Sequence, residues 1–277
     1  MEESQRRRSA RLRCAAGILL WTVSVLAHAA PHLAAEPAAR SASPAEVAAS
    51  LARGAAWIWP DSNGPHRPRT TSAAPAYRDA AVLVESLVLR GVRVERGGRT
   101  QPLALPVGVR LMPVVHVESA ADAPDDFTPA QRAAVLAAVR RHGQRAAGLL
   151  QLDFEAPPRQ REAYRALVAA ARAALPAGVR LSVTALAHWC TQGDWLDRLS
   201  VDEVVPMLYR LGPHAQDWRR RFERGDASLA RRCRGPALGF ATNDPPSPVL
   251  LARAARPYWF DETAWSNPSR PPSHLIP

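Results

Sequence analysis

The sequence predicts an α/β fold closed into a (β/α)8 TIM-type barrel, and three observations carry that prediction. Short apolar runs of strand length alternate with segments of helical period, as parallel strands joined by helices require. About eight such runs fall within roughly 210 residues, the size of one barrel domain. No G-x-G-x-x-G or G-x-x-x-x-G-K-[ST] follows any run, so an open sheet built around a nucleotide lacks its phosphate-binding turn.

Taken in order, the first residues read as an export signal. Arg6, Arg7, Arg8, Arg11 and Arg13 precede an apolar run from Cys14 to Leu26, and Ala27-His28-Ala29 supplies small residues at a cleavage site after residue 29. The run is shorter than the roughly 20 residues of a membrane helix, which favours cleavage and leaves an uncleaved anchor as the alternative. Cys14 stands at the start of the run rather than after it, against a lipoprotein anchor. The expected location is therefore the periplasm or the extracellular space, with no membrane span after cleavage.

Residues 30–54 are rich in Ala, Pro and Ser and end in an amphipathic piece from Pro44 to Arg53, a linker or peripheral helix. The barrel domain is expected over residues 55–265, with irregularity in its first strands. Ala55 to Trp59 forms a first strand stopped by Pro60. Val82 to Val88 and Val92 to Glu95 make a second extended region, with Arg96-Gly97-Gly98 as its turn. Arg110 to Glu118 is a third strand. Thr128 to His142 is a helix that opens on a Thr-Pro cap and stops before Gly143. Then follow strand Leu149 to Glu155, helix Arg159 to Leu175, strand Val179 to Leu186, strand Asp202 to Tyr209, helix His214 to Arg224, strand Ala237 to Ala241, helix Pro248 to Arg256 and a last strand Tyr258 to Phe260. Residues 266–277 form a Pro/Ser-rich loose tail.

Charge is a weak guide. The chain of 277 residues carries 36 basic residues against 25 acids, a net +11, yet every basic residue is arginine and none is lysine. The arginines are spread from Arg6 to Arg270 rather than gathered in the stripe of a nucleic-acid binder. Loss of residues 1–29 leaves 31 Arg against 23 acids, +8, which still favours an anionic surface such as a cell-envelope glycan. No Cys/His spacing supports a metal site, and no cofactor is expected. Cys190 and Cys233 remain after cleavage and either form one disulfide or stay as two buried thiols.

The sharpest chemical feature is Gln151-Leu152-Asp153-Phe154-Glu155. Side chains alternate along a strand, so Gln151, Asp153 and Glu155 share one face and Leu152 and Phe154 the other. Polar residues at a barrel strand's carboxyl end belong to the catalytic mouth. Two carboxylates at i and i+2 push each other's pKa apart, which keeps one of them protonated as a general acid. The bland alternative is a helix-capping Asp and a solvated Glu. His116 and Glu118 alternate on the third strand, Thr184 lies on the fifth with Trp189 after it, and Met207 and Tyr209 alternate on the sixth. Trp57 and Trp59 end the first strand, and Trp259 lies on the last with Trp265 beyond it. Aromatic faces among polar groups are what a pyranose ring needs, although each aromatic taken singly also suits a core.

Four segments carry a resemblance. QLDFEAP (Gln151 to Pro157), LPAGVRLSVTALAHWC (Leu175 to Cys190), VDEVVPMLYR (Val201 to Arg210) and CRGPALGFATNDPP (Cys233 to Pro246), in that order, are similar to the bacterial family named domain of unknown function 3142, over roughly residues 55 to 260. More distantly, the chain resembles the family 18 glycoside hydrolases, the chitinase-like barrels, whose fourth strand carries D-x-x-D-x-D-x-E and whose sixth carries M-x-Y. Asp153 matches the last Asp, Glu155 the proton donor, and Met207 with Tyr209 the M-x-Y pair, while Gly148 and Gln151 replace the first two acids. The resemblance implies substrate-assisted hydrolysis: Asp153 orients an acetamido group whose carbonyl attacks the anomeric carbon, Glu155 protonates the leaving oxygen, and Tyr209 steadies the acetamido.

The leading expectation is an exported, monomeric barrel acting on an amino-sugar glycan, with Glu155 as acid and Asp153 as its partner. Gln151, His116, Glu118, Thr184, Trp189, Met207, Trp57, Trp59 and Trp259 are the expected substrate contacts. The alternative is a barrel of the same fold that holds a glycan or cell-envelope partner without cleaving it, for which Gln151 in place of an acid is the support. Nucleic acid is not expected as a partner.

Overall fold

The computed structural model describes residues 40–59, 77–98 and 105–260. The signal at 1–29, the tail at 266–277 and Trp265 lie outside the described residues. Helix α1 (Pro44–Arg53) precedes strand β1 (Ala55–Ile58). Next come β2 (Asp79–Arg90), β3 (Arg93–Gly98) and β4 (Arg110–Ser119). Then α2 (Pro129–Gly143), β5 (Leu149–Phe154), α3 (Arg161–Ala174) and β6 (Arg180–Leu186) alternate. The chain continues through β7 (Glu203–Met207), α4 (Ala215–Arg224), β8 (Ala237–Ala241), α5 (Pro248–Arg253) and β9 (Arg256–Phe260).

Eight strands close into a parallel barrel in the order β1, β2, β4, β5, β6, β7, β8, β9 and back to β1. β3 is the extra strand. It runs antiparallel to the second half of β2, beyond a register shift between Leu83 and Glu85. The hairpin turns at Gly91-Val92, where Gly91 has φ +50°, and Arg90 pairs with Arg93. The turn expected at Arg96-Gly97-Gly98 is thus a strand. Gly97 serves close approach instead, since a Cβ there would stand 2.6 Å from Ser86 Oγ.

Local chemistry fixes the helix starts. Ser43 with Glu46 and Thr128 with Gln131 form reciprocal capping boxes at α1 and α2, each followed by proline in the first turn. α2 and α3 cover the barrel wall through Val135, Val139, Leu167 and Val168, all essentially inaccessible to solvent. The β6–β7 crossover is made of 3-10 turns, Ala187–Thr191 and Trp195–Arg198, in place of an α-helix. A disulfide between Cys190 and Cys233 ties this crossover to the turn before β8, closing a separation of 43 residues.

Strand alternation divides the apolar residues into two layers. Leu150, Leu152 and Phe154 face outward into the layer between strands and helices. The barrel interior is filled by Ala55, Trp57, Ala81, Met112, Val114, Leu149, Val205, Met207, Ala237, Tyr258 and Phe260. Trp57 lies so close to β8 that a Cβ on Gly239 would stand 2.6 Å from its ring, so glycine is needed there for space alone.

Candidate active site

β4, β5 and β6 are neighbours in the barrel, and their register builds the centre of the site. His116 pairs with Asp153 across β4 and β5. Asp153 is buried, and both its oxygens are engaged: Oδ2 lies 2.9 Å from His116 Nδ1, and Oδ1 accepts from Thr184 Oγ1 at 2.5 Å. Burial raises the Asp153 pKa, but the His116 bond and charge, with the Thr184 bond, outweigh it and hold the carboxyl below its ordinary range.

Glu155 lies just past the end of β5, two residues from Asp153 on the same face, and is solvent-exposed. It makes no hydrogen bond to another described residue. Its carboxyl nonetheless stands against enough of the barrel wall that burial, and then the charge of Asp153, raise its pKa from 4.5 to about 7, against the opposing charges of His116 and Arg210. Neither acid caps a helix: the turn that follows, Pro158–Gln160, begins at Pro157 with no side-chain cap. The two carboxyls therefore separate into a charged one and one that holds a proton near neutrality.

Aromatic rings border these groups. Trp59 stands perpendicular to His116 at 5.1 Å between centroids and to Phe260 at 6.3 Å. Phe260 stacks on Tyr209 at 5.7 Å, and the Tyr209 hydroxyl donates to Met207 Sδ at 3.3 Å. Arg210 follows with φ +53°, the sole non-glycine residue in the left-handed region among the described residues, and its guanidinium lies over the Phe260 ring at 5.9 Å. Such backbone strain concentrates at functional sites. Glu118 sits half-buried on β4, and its charge acts on both His116 and Glu155.

Several expected substrate contacts are engaged by neighbouring side chains. Gln151 is fully buried: its Oε1 accepts from Trp57 Nε1 at 2.6 Å and its Nε2 donates to Ser182 Oγ at 3.2 Å. From there Ser182 donates to Glu203 Oε1 at 2.8 Å, which also accepts from Tyr258 at 2.6 Å. Gln151 and Trp57 therefore belong to a polar chain within the barrel. Met207 is buried in the interior beside them, and Thr184 spends its hydroxyl on Asp153. Trp189 is buried in the outer layer against Tyr164 and Trp195, because it sits on a 3-10 turn that folds back under the helices. Trp259 points outward, its indole donating to Ser50 of α1 at 3.2 Å. The sequence expectation missed Phe260, the inward neighbour of Trp259, and Arg210. Alternation counted forward from Tyr258 would have found Phe260; nothing in the sequence signals the backbone of Arg210.

Among the described residues there is no cluster of three or more His, Cys, Asp or Glu side chains that could hold a metal ion, and no helix long and apolar enough to cross a membrane. No family model matches the chain, and no curated protein matches it. Among solved structures it is similar to the crystal structure of the Bacillus cereus spore cortex-lytic enzyme SleL, with a TM-score of 0.44 and 13% identity. The match covers 72% of this chain and 57% of that one, so the chain spans little more than half of the solved structure's length.

Proposed function

We propose that this protein is an exported glycoside hydrolase of the substrate-assisted kind, a member of the domain of unknown function 3142 family, acting on an amino-sugar glycan such as peptidoglycan or a biofilm polysaccharide. Glu155 gives its proton to the leaving glycosidic oxygen. Asp153 stays charged and orients the acetamido group whose carbonyl attacks the anomeric carbon, and Tyr209 steadies that group. The observation that carries the reading is the division of labour at the end of β5: Glu155 holds its proton up to about pH 7 while Asp153 is held ionised beside it. Trp59, Phe260 and Tyr209 supply apolar faces of the kind a sugar ring stacks on.

The test is turnover of a panel of N-acetylated glycosides by the purified chain. Glu155→Gln is expected to lower kcat by about 10²–10⁴-fold, the usual worth of a general acid. Turnover untouched by Glu155→Gln refutes the assignment.

A second reading, a barrel that binds a glycan without cleaving it, is favoured by one observation: position 151 carries an amide committed to the barrel interior. Ligand binding without turnover, insensitive to Glu155→Gln and lost with Trp59→Ala or Tyr209→Ala, selects it.

A further inference from the structure

His116 is turned onto Asp153 rather than toward the solvent. Its side chain is 25% exposed and that of Asp153 10%, and the two meet at 2.9 Å through Nδ1 and Oδ2. An ionised carboxylate only accepts, so the hydrogen of this bond lies on His116 Nδ1. Among the described residues, the charges that act on the imidazole are those of acids: Asp153 on β5, Glu118 two residues along on β4, and Glu155 beyond the end of β5. Trp59 covers the ring from the end of β1. Burial lowers the His116 pKa, but the bond to Asp153 and the charges of Asp153, Glu118 and Glu155 more than offset this and raise it. On its own strand Asp153 has no such partner, since Gln151 carries no exchangeable acid proton and has both ends of its amide engaged.

We propose that His116 is the positioning residue of this site: as an imidazolium donating from Nδ1, it holds the Asp153 carboxylate charged and oriented, supplying from the neighbouring strand the support that the residue at 151 does not give. Thr184 fixes the second oxygen, so the carboxylate is clamped from both flanking strands. The consequence for turnover rests on the glycan-cleaving reading above; the ion pair itself does not.

The experiment follows the ring nitrogens of ¹⁵N-histidine-labelled chain by NMR from about pH 4 to about pH 10. Wild type is compared with Asp153→Asn, and His116→Gln supplies the assignment. His116 is expected to titrate above the ordinary histidine range with its Nδ1 proton retained throughout. In Asp153→Asn its midpoint is expected to fall by at least about one pH unit, because burial remains while the main stabilising charge is gone. A His116 that is neutral at about pH 7 in wild type, or that titrates at the same midpoint in Asp153→Asn, overturns the proposal. Should Asp153→Asn fail to fold, the wild-type midpoint and the Nδ1 proton decide alone.

A second arm uses any glycoside the protein turns over. His116→Gln keeps a hydrogen-bond donor and loses the charge, so the acid limb of kcat/KM is expected to move up by about one pH unit with little change in KM. An unmoved profile overturns the positioning role while leaving Glu155 as acid. Absence of turnover in wild type brings down the hydrolase reading and leaves the NMR result to decide the ion pair.

Discussion

Glu155→Gln is expected to stabilise the fold at neutral and alkaline pH, in a window set by the raised carboxyl. The folded-state pKa of about 7 lies above the ordinary 4.5, so the native state binds more protons than the unfolded chain between those values. Stability therefore falls as pH rises through the window, and the loss is complete above it. A shift of that size corresponds to about 3 kcal/mol for a carboxyl wholly withdrawn from water. Glu155 is solvent-exposed, so screening reduces the expected penalty to about 1 kcal/mol. Glutamine has nearly the same shape and carries no charge, so it removes the penalty and leaves the remaining contacts of the rim in place.

The assay is urea denaturation of wild type and Glu155→Gln at about pH 4 and about pH 8, with the disulfide intact. At the lower pH both side chains are neutral and the curves should nearly coincide. At the higher pH the variant should unfold at a urea concentration greater by about 0.4 M, given a slope of roughly 2–3 kcal/mol/M. Asp153 and His116 titrate in both proteins and largely cancel in the difference. Equal or lower stability of Glu155→Gln at about pH 8 refutes the claim that this carboxyl is held against desolvation and the charge of Asp153.

Further outcomes follow from packing. Gly239→Ala places a methyl 2.6 Å from the Trp57 ring and is expected to cost about 1–3 kcal/mol, seen as a lower Tm with altered indole fluorescence. Removing the Cys190–Cys233 disulfide, with its separation of 43 residues, is expected to cost about 4 kcal/mol by loop entropy, measured by denaturation of the double alanine variant against wild type. Trp189→Ala should cost about 3–5 kcal/mol of stability because Trp189 is core, whereas Trp59→Ala, at a half-buried ring, should lower the melting temperature less and, on the proposed function, weaken glycan binding. A melting temperature insensitive to Trp189→Ala would contradict its place in the outer layer.

The barrel was legible because its signals are local and repeated. Apolar runs bounded by Gly and Pro fall where the eight parallel strands lie, and the Thr128 box opens α2 as the sequence indicates. Asp153 was legible for the same reason, as a charge interrupting the apolar run Leu149–Phe154. What the sequence hid are facts of facing and depth. Trp259 and Phe260 are adjacent and equally apolar, and the closure of β9 onto β1 and β8 decides which one enters the barrel. Trp189 follows β6 in the position of a mouth residue, yet the crossover folds into 3-10 turns that carry it into the outer core. Depth likewise separates Gln151 from Asp153, which share a face but not an environment: Gln151 joins the interior chain and Asp153 meets His116.

That difference of depth gives a physical reason for the amide at 151. A carboxylate in its place would stand between Asp153 above and Glu203 below, linked to Glu203 through the single hydroxyl of Ser182. Glu203 already draws on Tyr258, Ser182 and, at 3.5 Å, Arg256. A third buried negative charge would find Trp57 Nε1 as a donor but no cation of its own, and an unpaired buried charge is among the costlier features a fold can carry. The amide satisfies Trp57 and Ser182 without adding charge. It also leaves position 151 with no proton to share with Asp153, and the groups that hold Asp153 stand on the two flanking strands. β4 supplies the countercharge through His116, at the one register position that pairs directly with Asp153. Gln151 and His116 are thus two halves of a single electrostatic solution: a neutral amide below, an ion pair above it, and beyond them Glu155, whose pKa is raised by burial first and then by the charge of Asp153.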